Sequence, residues 1–182
     1  MIVAHPDDET IFGYTQLIQR IKLADSKYCP DWTVLCLTNG DNEMRASEFR
    51  RVVHQDYCAI PVIWDYADQW NAPIDLRCTD RLSDFLAEGK FDHIVTHNSE
   101  GEYGHTQHAS LHRIVKALVA QNLLVFGCGV RPLPFDLLVE KLLLLKRYES
   151  QCQLQAWDWY DSQKPENTLM KFIMYESLVQ VY

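Results

Sequence analysis

The sequence predicts an α/β fold, a mostly parallel sheet flanked by helices, on three observations. Short β-branched or apolar runs alternate with longer stretches of helical periodicity. No internal repeat, low-complexity segment or Pro/Gly/Ser-rich linker divides the chain. The 182 residues, 47% hydrophobic and 23% charged, have the profile of one globular domain large enough to bury a core, so a single domain over residues 1–182 is expected.

The expected strands are residues 1–4, 33–38, 62–64, 93–96 and 123–126, each short and bounded by turn formers. The helices between them are expected at 10–24, 45–57, 79–88 and 106–121, with further helices at 135–147, 151–160 and 168–179 making the C-terminal third mostly helical. The stretch 137–145 is interrupted by Glu140 and Lys141 and reads as a buried amphipathic helix. In open α/β sheets ligands bind beyond the carboxyl ends of the strands, which directs attention to what stands there.

Charge and cysteine usage narrow the class. A net charge of -8, with no basic run beyond pairs such as Arg50 and Arg51, argues against a nucleic-acid partner, because phosphate binding needs concentrated positive charge. Six scattered cysteines without a C-x-x-C pair suggest neither a zinc ribbon nor a redox pair, and are expected as mostly buried thiols. No secretory leader precedes the acidic run at residues 7–9 and no apolar stretch is long enough to span a membrane, so a cytoplasmic protein is expected.

Two clusters carry chemistry. At the end of the first strand, His5-Pro6-Asp7-Asp8-Glu9 places four ionisable groups within five residues. Such crowding is sensible if a cation neutralises it or a helix N-terminus faces it. Pro6 suits the first turn of a helix and Asp7 or Asp8 suits its cap, so a plain acidic helix start is one reading. A divalent metal on His5 and any one of the three carboxylates is the other. After the strand at 93–96 and a loop rich in Gly and acid, His105 and His108 stand three apart and share a helix face. Both can ligate one ion, or one can ligate while the other acts as proton donor. His112, four beyond His108, offers a further pairing, whereas the absence of H-E-x-x-H weighs against a metalloprotease. His97 and His112 are expected as structural histidines or as supports behind the ligands. The aromatics Trp64, Trp70, Trp157, Trp159 and Tyr160 suit a core or interface more often than a sugar face.

These blocks, Ala4 to Glu9, Thr38-Asn39-Gly40-Asp41, and Thr96-His97-Asn98 followed by Gly101 to His108, resemble the LmbE-like or PIG-L (GlcNAc-phosphatidylinositol de-N-acetylase) family. Arg45-Ala46-Ser47-Glu48 and Lys146 to Gln151 look like weaker motifs of the same family. The resemblance implies a Rossmann-like fold and a zinc ion on His5, Asp8 and His108, with Fe2+ accepted by the same ligand types. It implies Asp7 as general base, His105 as the group that assists the tetrahedral intermediate or protonates the amine, and Tyr103 near the oxyanion. Arg45, Asp68 and Asn39 are then the expected substrate contacts. Asp68 lies in a segment, residues 65–70, that does not match the family pattern cleanly, and the chain begins almost on the first motif.

The implied reaction is hydrolysis of the N-acetyl group of a GlcNAc-type amino-sugar conjugate, releasing acetate and a free amine. The partner is a small N-acetylated amino sugar, with a homo-oligomer left open. An amidase or hydratase acting on a non-sugar molecule, or a non-catalytic binding subunit on the same fold, are the alternatives, since a fold does not specify its electrophile.

Overall fold

The computed structural model describes residues 1–22, 31–152 and 169–181, without the side chains of Arg20, Ile21 and Cys152. Strand β1 (Ile2–Val3) runs parallel to β2 (Thr33–Thr38), with Ile2 opposite Leu35, and β2 runs parallel to β3 (Ile60–Tyr66), with Leu35 opposite Val62. A second three-stranded group has β4 (Ile94–Thr96) parallel to β5 (Leu123–Cys128), and β5 antiparallel to β6 (Glu176–Val181). Side chains join the two groups where β1 meets β4. Thr96 Oγ1 donates to the Ile2 carbonyl at 2.9 Å, and the Ala4 N–H donates to His97 Nε2 at 3.1 Å.

The period-2 alternation of the strands sorts the core onto two faces. Val3, Val34 and Cys36 pack with Phe12, Tyr14 and Leu17 of α1 (Asp8–Lys22), Phe49 of α2 (Glu43–Arg51), and Phe172 of α8 (Leu169–Met174). Ile2, Ala4, Leu35 and Leu37 pack on the other face with Leu82 of α3 (Cys78–Gly89), and Leu111, Ile114 and Val115 of α5 (Thr106–Leu118). Between β4 and α5 lies the short α4 (Gly101–Gly104), and beyond β5 come α6 (Phe135–Leu145) and α7 (Glu149–Cys152). No helix among the described residues is long and apolar enough to cross a membrane.

The expected elements recur with three corrections. The helix expected at 45–57 is α2 followed by a π-helical turn over Val52–Asp56. The helix expected at 168–179 stops at Met174, and its second half is β6. The run Glu-Ser-Leu-Val-Gln-Val carries two β-branched valines and supplies the edge of β5 with a ladder partner, which outweighs its helical reading. The stretch 137–145 is the expected amphipathic helix but only half-buried, with Leu137, Leu138, Leu144 and Leu145 packed on the core. Phe135, Val139, Leu142 and Leu143 of α6 are exposed, whereas Lys141 is fully buried and donates from Nζ to Glu176 Oε2 at 2.9 Å. Glu176 Oε1 accepts from Thr15 N and Oγ1 at 2.7 and 2.6 Å, so this ion pair ties α6 and β6 to α1. Residues 153–160 of another expected helix, with Trp157, Trp159 and Tyr160, lie outside the described residues. Of the cysteines, Cys36 and Cys78 are buried free thiols, Cys128 is half-buried and Cys58 is exposed.

Candidate active site

The turn after β1 bends sharply at Asp7, whose φ of 101° lies in the left-handed region that non-glycine residues rarely adopt. That bend aims the Asp7 carbonyl along α1, where it accepts from the N–H groups of Thr10 and Ile11, both at 2.9 Å. The expected side-chain cap is thus replaced by a backbone start. Asp8 instead folds back, its Oδ2 accepting from His5 N at 2.8 Å, which holds His5 and Asp8 in fixed relation.

The tautomers of the two outer histidines follow from the partners of their far nitrogens. Gln107 is oriented by backbone, donating from Nε2 to the Ala67 carbonyl at 2.8 Å and accepting the Gln69 N–H on Oε1 at 3.3 Å. His5 Nε2 faces that same Oε1 at 2.7 Å, so Nε2 carries the proton and Nδ1 offers its lone pair to the site. His108 Nδ1 lies 2.7 Å from Glu102 Oε2, so Nδ1 donates and Nε2 offers the lone pair. His5 Nδ1 and His108 Nε2 stand 3.1 Å apart, and Asp8 Oδ2 lies 3.3 and 3.4 Å from them. Three acceptor atoms facing one another at such distances repel unless a cation lies between them. A tetrahedral ion with ligands at ~2.0–2.1 Å has ligand–ligand edges of about 3.3–3.4 Å, close to all three separations. The donor set therefore fits zinc, and the atoms that would hold it are His5 Nδ1, Asp8 Oδ2 and His108 Nε2. The same demand for positive charge raises His5 to about 10, since the carboxylates of Asp68 and Asp8 outweigh the burial that opposes it.

Two further groupings share these atoms, His5 with His105 and His108, and Asp8 with His97 and His108. The additional histidines have their lone pairs spent on backbone. His97 Nε2 accepts from Ala4 N, and His105 Nδ1 caps α5 by accepting from Gln107 N at 3.2 Å. His97 stacks beneath His108 with ring centroids 3.7 Å apart and directs Nδ1 to Glu102 Oε2 at 2.9 Å. His112 is bound to the His97 carbonyl at 2.8 Å, matching its expected structural place.

The remaining expected residues gather around this centre. Asp7 is buried, and burial together with the neighbouring Asp8 raises its carboxyl well above the usual range. His105 stacks on His108 at 4.4 Å, and burial with the positive charge of the His108 and His5 rings pushes it down to about 3. Tyr103 lies edge-on to both rings, 5.7 Å from His108 and 5.9 Å from His105, with its hydroxyl pushed upward by burial. Arg45 Nη1 binds Asp68 Oδ2 at 2.6 Å and Nη2 reaches the Pro6 carbonyl at 3.4 Å. Asn39 spends both amide hydrogens inside the protein, on Thr38 Oγ1 at 2.8 Å and Asp68 Oδ2 at 3.0 Å. Asp68 Oδ1 lies 3.3 Å from His5 Nε2, and the partners His5, Asn39 and Arg45 hold its carboxyl below the usual range against the effect of burial.

Sequence reasoning missed Glu102 and Gln107, and it did not foresee the partners of Glu9 and Glu48. Glu102 accepts from both His97 and His108, and its Oε1 accepts from Asn98 N at 2.8 Å. Those histidines hold its carboxyl down to about 2 although burial pushes the other way. Its backbone is strained, at φ 58° and ψ -75°. An acid within a Gly-rich loop is its only trace in the sequence. Gln107 leaves no trace, because an amide between two histidines carries no chemical signature. Glu9 accepts from Thr10 Oγ1 at 2.6 Å and Tyr148 OH at 2.5 Å, and Thr10 Oγ1 in turn accepts from Tyr57 OH at 3.0 Å. The two weaker motifs also meet, Ser150 donating to Glu48 from its N and Oγ at 2.9 and 2.5 Å.

Comparison with known proteins agrees with this arrangement. The family model described as GlcNAc-PI de-N-acetylase (PIG-L) matches residues 1–119. An uncharacterized protein of Acanthamoeba polyphaga mimivirus is 32% identical, over 83% of this chain and 70% of its own. The N-acetylglucosaminyl-phosphatidylinositol de-N-acetylase of Bos taurus is 28% identical, over 80% of this chain and 59% of its own length. Among solved structures, a conserved protein from Thermus thermophilus superimposes with a TM-score of 0.67 at 13% identity, covering 100% of this chain and 93% of that one. The N,N'-diacetylchitobiose deacetylase of Pyrococcus horikoshii, complexed with an inhibitor, gives 0.63 at 15% identity, covering 86% and 72%.

Proposed function

Because the chain belongs to the GlcNAc-PI de-N-acetylase (PIG-L) family, we propose that it is a zinc-dependent N-deacetylase that hydrolyses the N-acetyl group of a GlcNAc-type amino-sugar conjugate, working as one domain over residues 1–182. The observation that carries this reading is the convergence of His5 Nδ1, Asp8 Oδ2 and His108 Nε2 within 3.1–3.4 Å of one another. A free carboxylate, Asp7, adjoins them in the chain. Fe2+ suits the same donors.

When bound, the ion supplies a Lewis acid that lowers the pKa of water toward ~7 and polarises the amide carbonyl. Asp7, next to the proposed ligand Asp8 but not one of the three facing donors, takes the proton of the attacking water as general base. His105 is pushed down to about 3, so at neutral pH it is an imidazole rather than an imidazolium. Its Nδ1 accepts from Gln107 N, which leaves Nε2 as an N–H donor toward the developing oxyanion, with the Tyr103 hydroxyl as a second donor. The proton that the departing amine requires then comes from Asp7. Of the two roles implied for His105, this reading takes the first, assistance to the tetrahedral intermediate. Arg45 and Asp68 hold the rim where the substrate's substituents enter, and Asn39 acts by fixing Asp68.

The test is acetate release by metal-loaded protein from N-acetylglucosamine glycosides, N,N'-diacetylchitobiose, and nucleotide and lipid conjugates of N-acetylglucosamine, alongside an unsaturated dicarboxylate. Acetate from at least one sugar, abolished by chelator and restored by zinc, is expected. Hydration of the alkene with no acetate from any N-acetyl sugar would overturn the reading.

A further inference from the structure

Of the Trp and Phe side chains among the described residues, only Trp70 and Phe135 are exposed. Phe135 opens α6, whereas Trp70 stands at the site. Its indole packs edge-to-face with the His105 ring at 4.6 Å and lies nearly parallel to Tyr103, at 29° and 6.3 Å, yet 63% of its surface remains open to solvent. An indole left this exposed has surface available for a ligand.

The segment that carries it is pinned at several points. Gln107 binds the Ala67 carbonyl and the Gln69 N–H, Asp68 is held by Arg45 and Asn39, and Ser110 Oγ accepts from Ile74 N at 2.8 Å. The indole is thus a fixed plate beside the proposed oxyanion donors. Two residues before it, Asp68 offers a partly exposed acceptor. A flat aromatic face next to a carboxylate matches a pyranose ring, which presents axial C–H groups on one face and hydroxyls at its edge.

We propose that Trp70 is the sugar platform of this site: the apolar face of the substrate's pyranose ring lies on the open indole while a ring hydroxyl donates to Asp68. The proposal rests on the deacetylase reading for the reaction but not for the binding. Trp70→Ala and Trp70→Phe are compared with the parent on a methyl glycoside of N-acetylglucosamine and on N-acetylethanolamine, an acyclic amide. Because Trp70 also touches His105, the informative quantity is the ratio of kcat/KM for the two substrates, in which any shared effect on His105 cancels. With alanine that ratio falls about tenfold or more, through KM for the glycoside, and phenylalanine recovers most of it. An unchanged ratio overturns the platform. If the parent releases acetate from neither compound, the deacetylase reading is decided separately by the wider substrate panel, and the platform is read by titrating methyl glucosaminide while following tryptophan fluorescence. A saturable change in the parent that disappears in Trp70→Phe supports the platform, and no change, or the same change in both proteins, overturns it.

Discussion

After β1 the chain arranges its own donor atoms, whereas after β4 it borrows an anchor. In the first turn His5 N–H binds Asp8 Oδ2 three residues on, and the Asp7 carbonyl opens α1, so local contacts set the backbone relation between His5, Asp7 and Asp8, with Gln107 fixing only the His5 tautomer. In the second, His108 sits on α5 and takes its tautomer from the Glu102 carboxylate, which reaches it from a strained loop and holds His97 as well. Two routes to preorganisation therefore meet at one candidate metal centre, and under the proposed reading they should fail differently. A change in the turn would remove a proposed ligand or base outright. A change at Glu102 leaves all three donors present but poorly aimed.

The largest expected effects separate Asp7 from Asp8 within that turn. Asp8→Ala removes the oxygen that lies 3.3–3.4 Å from both histidine donors, and is expected to purify without metal and without turnover. Asp7→Asn keeps the donor set, so metal stays near one ion per chain while kcat falls by roughly 10²–10⁴-fold, the range for loss of a general base. Elemental analysis beside acetate release reads both. Metal lost from the Asp7 variant and kept in the Asp8 variant would exchange the two roles.

Glu102 gives the intermediate effect. Glu102→Gln is expected to weaken zinc binding by ~10–100-fold, with turnover recovered at excess zinc. In metal-free protein the imidazole ¹⁵N shifts of His97 and His108 should move toward a tautomer mixture, a change that a merely structural role would not cause. Glu102→Gly relieves the backbone strain but deletes the carboxylate, so it isolates the anchor from the bend. Full zinc affinity in the glycine variant would show that the loop's shape, not the carboxylate, aims His108.

The contrast between the two regions also explains what is legible in the sequence. The alternation of apolar runs and helical periods locates β1 to β5 because these strands contribute side chains to the core on both sheet faces and carry their own hydrophobic signal. Strand β6 reads as helix because its identity depends on an open edge of β5, some fifty positions earlier in the chain, which no local window contains. At the site, His5, Asp7, Asp8, His105 and His108 stand out as ionisable residues crowded at strand ends. Spacing leaves the choice among the carboxylates and histidines open, and the partners of the far ring nitrogens favour one donor set. Glu102 and Gln107 stay hidden since their importance lies in which nitrogen they face, a property of three-dimensional placement.

The smallest effect probes the support beneath the first turn. Glu9 is buried against Thr10 and Tyr148, and burial raises its carboxyl from 4.5 to about 7, although both hydroxyls act to lower it. The folded state therefore binds this proton more tightly than the unfolded chain. Its contribution to stability is fully present below about 4.5 and is lost as pH rises through about 7. Glu9→Gln cannot titrate, so the stability difference between parent and variant should shift by up to on the order of 3 kcal/mol against the parent across that window. Urea unfolding of both metal-free proteins at pH 4.5, 6 and 8 measures it. A parent–variant difference independent of pH would mean that Glu9 titrates in the folded protein as in the unfolded chain, so that above about 4.5 Tyr148 and Thr10 donate to a buried charge.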